Sequence, residues 1–118
     1  YDEILMLGAT GTRLDHTLAN IHLLKIALDA GVPMRICDEH NEVFLIQKET
    51  VIAKREGWHL SLLPVTTAEK IVSEGLYYPL CGGKMEFGNP YGVSNEFTEE
   101  KARVALERGL LLAILSRD

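Results

Sequence analysis

One long stretch of this sequence has helical periodicity, and its position narrows the possible folds. Over residues 15–30, Leu18, Ile21, Leu24 and Leu28 fall on one stripe, widened by Leu23, Ala27 and Ala30. Asp15 stands where an N-cap is expected, and Gly31 followed by Pro33 makes a stop. Ahead of the helix, residues 3–7 form a short apolar run ended by Gly8; behind it, residues 34–37 form another. Strand, helix and strand within about 35 residues is the size of a right-handed crossover between parallel strands. The opening of the chain therefore reads as the last crossover of a parallel sheet.

After the polar turn at residues 38–41 the pattern changes. Short strand candidates follow at 43–46, 50–54, 59–63, 70–73 and 76–80, separated by turn signals at Glu56-Gly57, Pro64, Gly75, Gly82-Gly83 and Asn89-Pro90. This spacing favours an antiparallel sandwich or barrel. Residues 98–108 fit either a helix closed by Gly109 or a strand, because Ala102, Val104 and Leu106 alternate with polar or small neighbours. A hairpin is preferred, since the apolar run 110–115 needs a partner. The expected fold is mainly β with an α/β remnant. Residues 1–40 would be the end of a parallel-sheet domain and residues 41–118 an antiparallel β-sandwich.

Charge and composition remove several function classes. A net charge of −5 lacks the basic excess of a nucleic-acid binder, while leaving room for a small phosphorylated ligand. The longest apolar run, residues 110–115, is far too short to cross a bilayer. Cys37 and Cys81 have no CxxC spacing, which points to reduced thiols and a cytoplasmic setting. Tyr1-Asp2-Glu3 runs straight into an apolar strand, and the chain is expected to begin inside a larger protein.

The most informative segment for chemistry runs from Gly8 to His16, between a strand end and a helix start. Parallel sheets build ligand sites at such junctions. Two glycines allow a sharp turn and close approach to a ligand. The helix start offers unpaired N–H groups suited to phosphate, and Arg13 adds a planar fork that matches phosphate oxygens. Asp15 can accept a proton, hold Mg2+ through water or bind an amino group; equally, it can simply cap the helix. The segment is neither a Walker A loop nor GxGxxG.

The run GATGTRLDHTLANIHLL resembles the G-x-x-G-x-R-x-D-H segment of bacterial thiamine pyrophosphokinases, with Thr12 where that family usually has Gly. Asp38-Glu39-His40-Asn41, Ser61-Leu62-Leu63-Pro64, Gly75-Leu76-Tyr77-Tyr78-Pro79-Leu80 and Gly92-Val93-Ser94-Asn95-Glu96 resemble later segments of the same family, in the same order. The resemblance covers essentially the whole chain and corresponds to the family's C-terminal portion. It implies transfer of pyrophosphate from ATP to thiamine with release of AMP, aided by Mg2+ carried with the ATP. It also implies an α/β nucleotide-binding catalytic domain ending at residue 40 and a thiamine-binding sandwich after it. By the same resemblance, Arg13 and Asp15 are catalytic; Gly11, Thr12 and Arg13 face the nucleotide phosphates; and Asp15, Ser94, Asn95 and Tyr78 bind thiamine. His16 is a neighbour without a defined role. A homodimer sharing its active site between subunits follows as well. The family's acidic metal-binding residues lie upstream of position 1, so no metal ligand is assigned within this chain, and the chain alone is expected to be inactive.

Other residues carry a plainer reading. Trp58 reads as packing at a strand start, His22 as surface and Cys37 as core, while His40 and His59 show no metal spacing. Of Tyr77 and Tyr78, alternation in a strand would put one inside and one outside. The alternative to an enzyme is a non-catalytic small-ligand-binding or dimerisation sandwich.

Overall fold

The computed structural model of the chain describes residues 3–7, 13–88 and 92–118. It begins with β1 (Ile4–Leu7), α1 (Leu14–Asp29) and β2 (Met34–Cys37). Strands β1 and β2 pair in parallel, with Ile4 opposite Met34 and Leu7 opposite Cys37, so the expected crossover unit is present. The later strands are β3 (Asn41–Ile46), β4 (Glu49–Ala53), β5 (His59–Pro64), β6 (Ala68–Glu74), β7 (Cys81–Met85), β8 (Lys101–Ala105) and β9 (Leu111–Ser116). They complete two sheets, ordered β1-β2-β3-β9-β5 and β4-β8-β6-β7.

Strand β3 pairs antiparallel with β2 through Ile36–Val43 and Cys37–Glu42. The first sheet thus continues from the crossover unit into the sandwich, and residue 40 marks a change of strand direction within it. Alternation divides the sheet's two faces between two cores. Phe44, Ile46, Leu60, Leu62, Leu111 and Leu115 point between the sheets and meet Ile52, Ile71 and Val104 of the second. Val43 and Leu112 point the other way and, with Ile36, pack under Leu24 of α1.

Three expectations require correction. The N-cap is Arg13, not Asp15, and no side chain caps it. Asp15 lies inside the first turn, where its carboxylate accepts hydrogen bonds from the Arg13 guanidinium and the His16 N–H and complements the helix dipole. Residues 76–80 are not a strand. Only Leu76 forms a bridge, to Phe97, because Pro79 has no N–H to give a ladder and the Ser73 hydroxyl takes the Leu80 N–H. As a result both Tyr77 and Tyr78 are exposed, where one had been expected inside. Strand β7 instead runs through Gly82-Gly83, which had read as a turn.

The third correction concerns the end of the chain. Strands β8 and β9 both form, but not as a hairpin. Strand β8 lies between β4 and β6 of the second sheet, whereas β9 lies between β3 and β5 of the first. An uninterrupted apolar run is buried on both faces, and a central position satisfies it better than an edge. The connection crosses between sheets at Gly109, whose φ is +92° and whose added Cβ would meet the Thr67 carbonyl.

Candidate functional site

The sequence-derived site residues fall in two groups. The first is at the start of α1. Gly11 and Thr12 lie outside the described residues. Arg13 and Asp15 are both exposed, and the Arg13 Nη2 donates to Asp15 Oδ2 at 2.7 Å. A pair this open to water contributes little stability, so both side chains are available to a ligand at small cost. Past the carboxyl ends of β1 and β2 is a recess of about 480 Å³ lined by Leu7, Cys37, Asp38, Glu39 and His40. Open α/β sheets bind ligands on this side. Asp38 shapes its wall by accepting the N–H groups of His40 and Asn41, both at 2.7 Å. Burial pushes the Asp38 carboxyl up, but these bonds outweigh it and hold the group below its ordinary range.

Next to this recess, Glu42 is a buried carboxylate on β3. It accepts from Arg35 at 2.8 Å and Arg55 at 2.9 Å, while the Cys37 thiol donates to it at 3.5 Å. Burial raises Glu42, yet the hydrogen bond and charge of Arg55 and the charge of Arg35 bring it below the usual carboxylate range. Burial and the Glu42 carboxylate push the Cys37 thiol up. The sequence reading missed this cluster. Its one visible signal was an acid, Glu42, next to the apolar run 43–46.

The second group is at the free edge of β5. There Asn95 pairs with Leu60 through two backbone hydrogen bonds of 2.9 and 2.8 Å, and Leu62 donates to Gly92 O at 2.8 Å. A Cβ at Gly92 would meet the Leu62 carbonyl, so only glycine lets the turn come this close. Ser94 has a φ of +60°, an uncommon conformation for a residue with a side chain. Its N–H donates to the buried Ser61 Oγ at 2.9 Å, while Ser94 itself is exposed. Asn95 is 6% exposed. Its Oδ1 accepts from Tyr78 N at 3.0 Å and Glu96 N at 2.9 Å, and its Nδ2 donates to Tyr78 O at 2.8 Å. Tyr77 and Tyr78 pack edge to face, ring centres 4.9 Å apart, with both rings open to solvent. On neighbouring β5, the Nδ1 of His59 is buried without a partner among the described residues; sequence spacing gave no sign of it.

Strand order keeps the two groups apart within one chain. Helix α1 packs over β2 and β3, while the Ser94 turn lies beyond β5 at the sheet's other flank. At about 4.8 Å per strand, that is a lateral separation of roughly 14 Å. Among the described residues, no three His, Cys, Asp or Glu side chains converge as metal ligands, and no helix is long and apolar enough to cross a membrane.

Residues 46–111 match the model of the thiamin pyrophosphokinase vitamin B1 binding domain, a span that contains β5 and the Ser94 turn. The chain is 29% identical to the thiamine pyrophosphokinase of Bacillus subtilis, the alignment covering 99% of this chain and 56% of that protein. It is 31% identical to thiamine pyrophosphokinase 1 of Arabidopsis thaliana, covering 95% of this chain and 43% of that protein. The crystal structure of the Bacillus subtilis enzyme superposes with a TM-score of 0.96 over 100% of this chain and 57% of that one. That of the Geobacillus thermodenitrificans enzyme, 28% identical, gives 0.89, covering 100% and 55%. The chain therefore spans about half the length of the relatives it matches. With the family domain across more than half of its residues and a shared fold along all of them, the chain belongs to the thiamine pyrophosphokinase family.

Proposed function

We propose that the protein carrying this chain transfers the pyrophosphoryl group of ATP to thiamine, releasing AMP, and that this chain supplies the thiamine side of the site. The observation that supports this most is the vitamin B1 binding domain match over the segment holding the Ser94 turn. In the reaction, the hydroxyethyl oxygen of thiamine bonds to the β-phosphorus of ATP. The bond from that phosphorus to the oxygen bridging to the α-phosphate breaks, and AMP departs with the bridging electrons. The hydroxyl proton passes to a base, for which Asp15 is the candidate. Arg13 stands two residues away, at the helix start, and would hold phosphate oxygens, with Gly11 and Thr12 contributing backbone N–H groups. Positioning and charge neutralisation carry most of such a transfer.

Ser94 and the Tyr78 ring would meet thiamine at the β5 edge. The separation of Asp15 from Ser94 supports a site completed by a second copy, one protomer giving its helix start and its partner the Ser94 turn. Mg2+ enters this reading with the ATP phosphates. Among the described residues there is no ligand cluster of the kind it needs. Free Cys37 and Cys81 are compatible with a cytoplasmic setting.

The test is AMP release from ATP and Mg2+, with and without thiamine, by the full-length protein. Thiamine-dependent AMP that falls at least about 100-fold in Asp15→Asn is expected, the range for losing a positioned base. A folded protein that forms no thiamine-dependent AMP overturns the enzyme reading in favour of a non-catalytic sandwich.

A further inference from the structure

We infer that Asn95 is a positioning residue for the thiamine subsite, acting through the backbone of two segments rather than by touching the ligand. This rests on the thiamine reading above and assigns a division of labour within that subsite. Both Oδ1 lone pairs and one Nδ2 hydrogen are committed to backbone groups, and the side chain is 6% exposed. What Asn95 holds is outward-facing. The backbone pairing of this segment with residues 96–98 ends at Tyr77, whose N–H donates to Glu96 O at 2.8 Å. By bonding both the N–H and the C=O of Tyr78, Asn95 carries the support one residue further.

Its own backbone, meanwhile, is clamped to Leu60, and the residue just before it is Ser94, held at φ +60° by the Ser61 hydroxyl. A non-glycine residue at such a φ costs of the order of 1 kcal/mol and persists only where its surroundings impose it. One buried amide thus adds the side-chain link nearest both the Tyr78 ring and the Ser94 hydroxyl, on two segments whose backbones meet only further along, at residues 76–77 and 96–98. Ser61 is the second member of this support, because its hydroxyl sets the Ser94 N–H.

Steady-state kinetics on the full-length protein tests this with Asn95→Ala, Asn95→Asp, Ser61→Ala, Ser94→Ala and the Ser94→Ala/Asn95→Ala double variant. Asn95→Ala is expected to raise the thiamine KM about 10-fold or more, with the ATP KM and kcat each within about 3-fold, because loosened ligand contacts act in the ground and transition states alike. Asn95→Asp keeps both accepted bonds and should recover part of the loss; it also serves if the alanine variant does not fold. Ser61→Ala should raise the thiamine KM about 3-fold. Because Asn95 acts through the turn that carries Ser94, the double variant should be no worse than the poorer single. Folded Asn95 variants with an unchanged thiamine KM, or fully additive losses in the double variant, would overturn the inference while leaving the thiamine reading intact. A wild-type protein without thiamine-dependent AMP overturns both.

Discussion

The sandwich and the crossover unit use similar apolar residues but cover them very differently. Between the sheets, Leu60, Ile71, Val104 and Leu111 are each 0% exposed. In the crossover unit, Leu5 is 57%, Leu7 71%, Leu14 68% and Ile26 64% exposed. The sandwich closes its core with its own strands, since each sheet offers one apolar face to the other. A parallel pair needs cover on both faces, and here one helix lies on one face, burying Leu24 and Ala27. Two adjoining parts of a continuous sheet therefore differ in how much of their stability they can generate alone.

The largest effect should come from hollowing the sandwich. Leu111→Ala removes a 0% exposed side chain from the core between the sheets, on a strand paired on both sides, and should cost about 2–5 kcal/mol in chemical denaturation. Leu14→Ala, at a residue 68% exposed, should stay within about 0.5 kcal/mol. Equal losses at the two positions would break the comparison.

A smaller gap should appear in native-state hydrogen exchange. Strand β9 is bonded on both sides, to β3 and β5, whereas among the described residues β1 pairs with β2 alone. Amides of β1 should open with a free energy at least about 2 kcal/mol below those of β9, as edge and sub-global openings do relative to global unfolding. Matching protection in the two strands would mean that the crossover unit unfolds only together with the sandwich.

The legible parts of this fold were those where local pattern and tertiary position agree. The helix was readable because Leu24 sits on a regular stripe, and β2 because an apolar run lay just past a Gly-Pro stop. The mixed character and two-sheet sandwich likewise followed from strand spacing. What escaped was non-local. Nothing near residues 98–116 states that consecutive strands belong to different sheets; that depends on Leu110 reaching Thr66, its N–H 3.1 Å from the hydroxyl. The extended look of residues 76–80 was misleading because their pairing with residues 96–98 stops at Tyr77, and at Tyr78 a side chain, Asn95, takes the backbone groups instead. In the candidate site, Arg13 and Asp15 stood out by their place between a strand end and a helix start as well as by motif resemblance, and Ser94, Asn95 and Tyr78 by resemblance alone. The burial of Asn95 and the exposure of its neighbours were not, since both depend on pairing across the β5 edge.

The least costly test concerns the joint between the two regions. Glu42 ties Arg35 of β2 to Arg55 of the β4–β5 connection, so Glu42→Gln should loosen the crossover unit from the sandwich. Both guanidiniums are partly in water, at 36% and 43% side-chain exposure, which limits the expected loss at neutral pH to about 1–2 kcal/mol. The folded-state pKa of Glu42 is depressed, so its contribution is complete above the unfolded value near 4.3 and is lost as pH falls through the lower folded value. The stability gap between wild type and Glu42→Gln should therefore hold from neutral pH down to about 5 and shrink below about 4. Because Glu42 also helps to raise the Cys37 thiol, the variant should alkylate faster at Cys37, with exposed Cys81 as the internal reference. A gap that stays constant through the acid range would mean that Glu42 supports the joint by packing alone, and that the crossover unit is held to the sandwich by the β2–β3 ladder without help from charge.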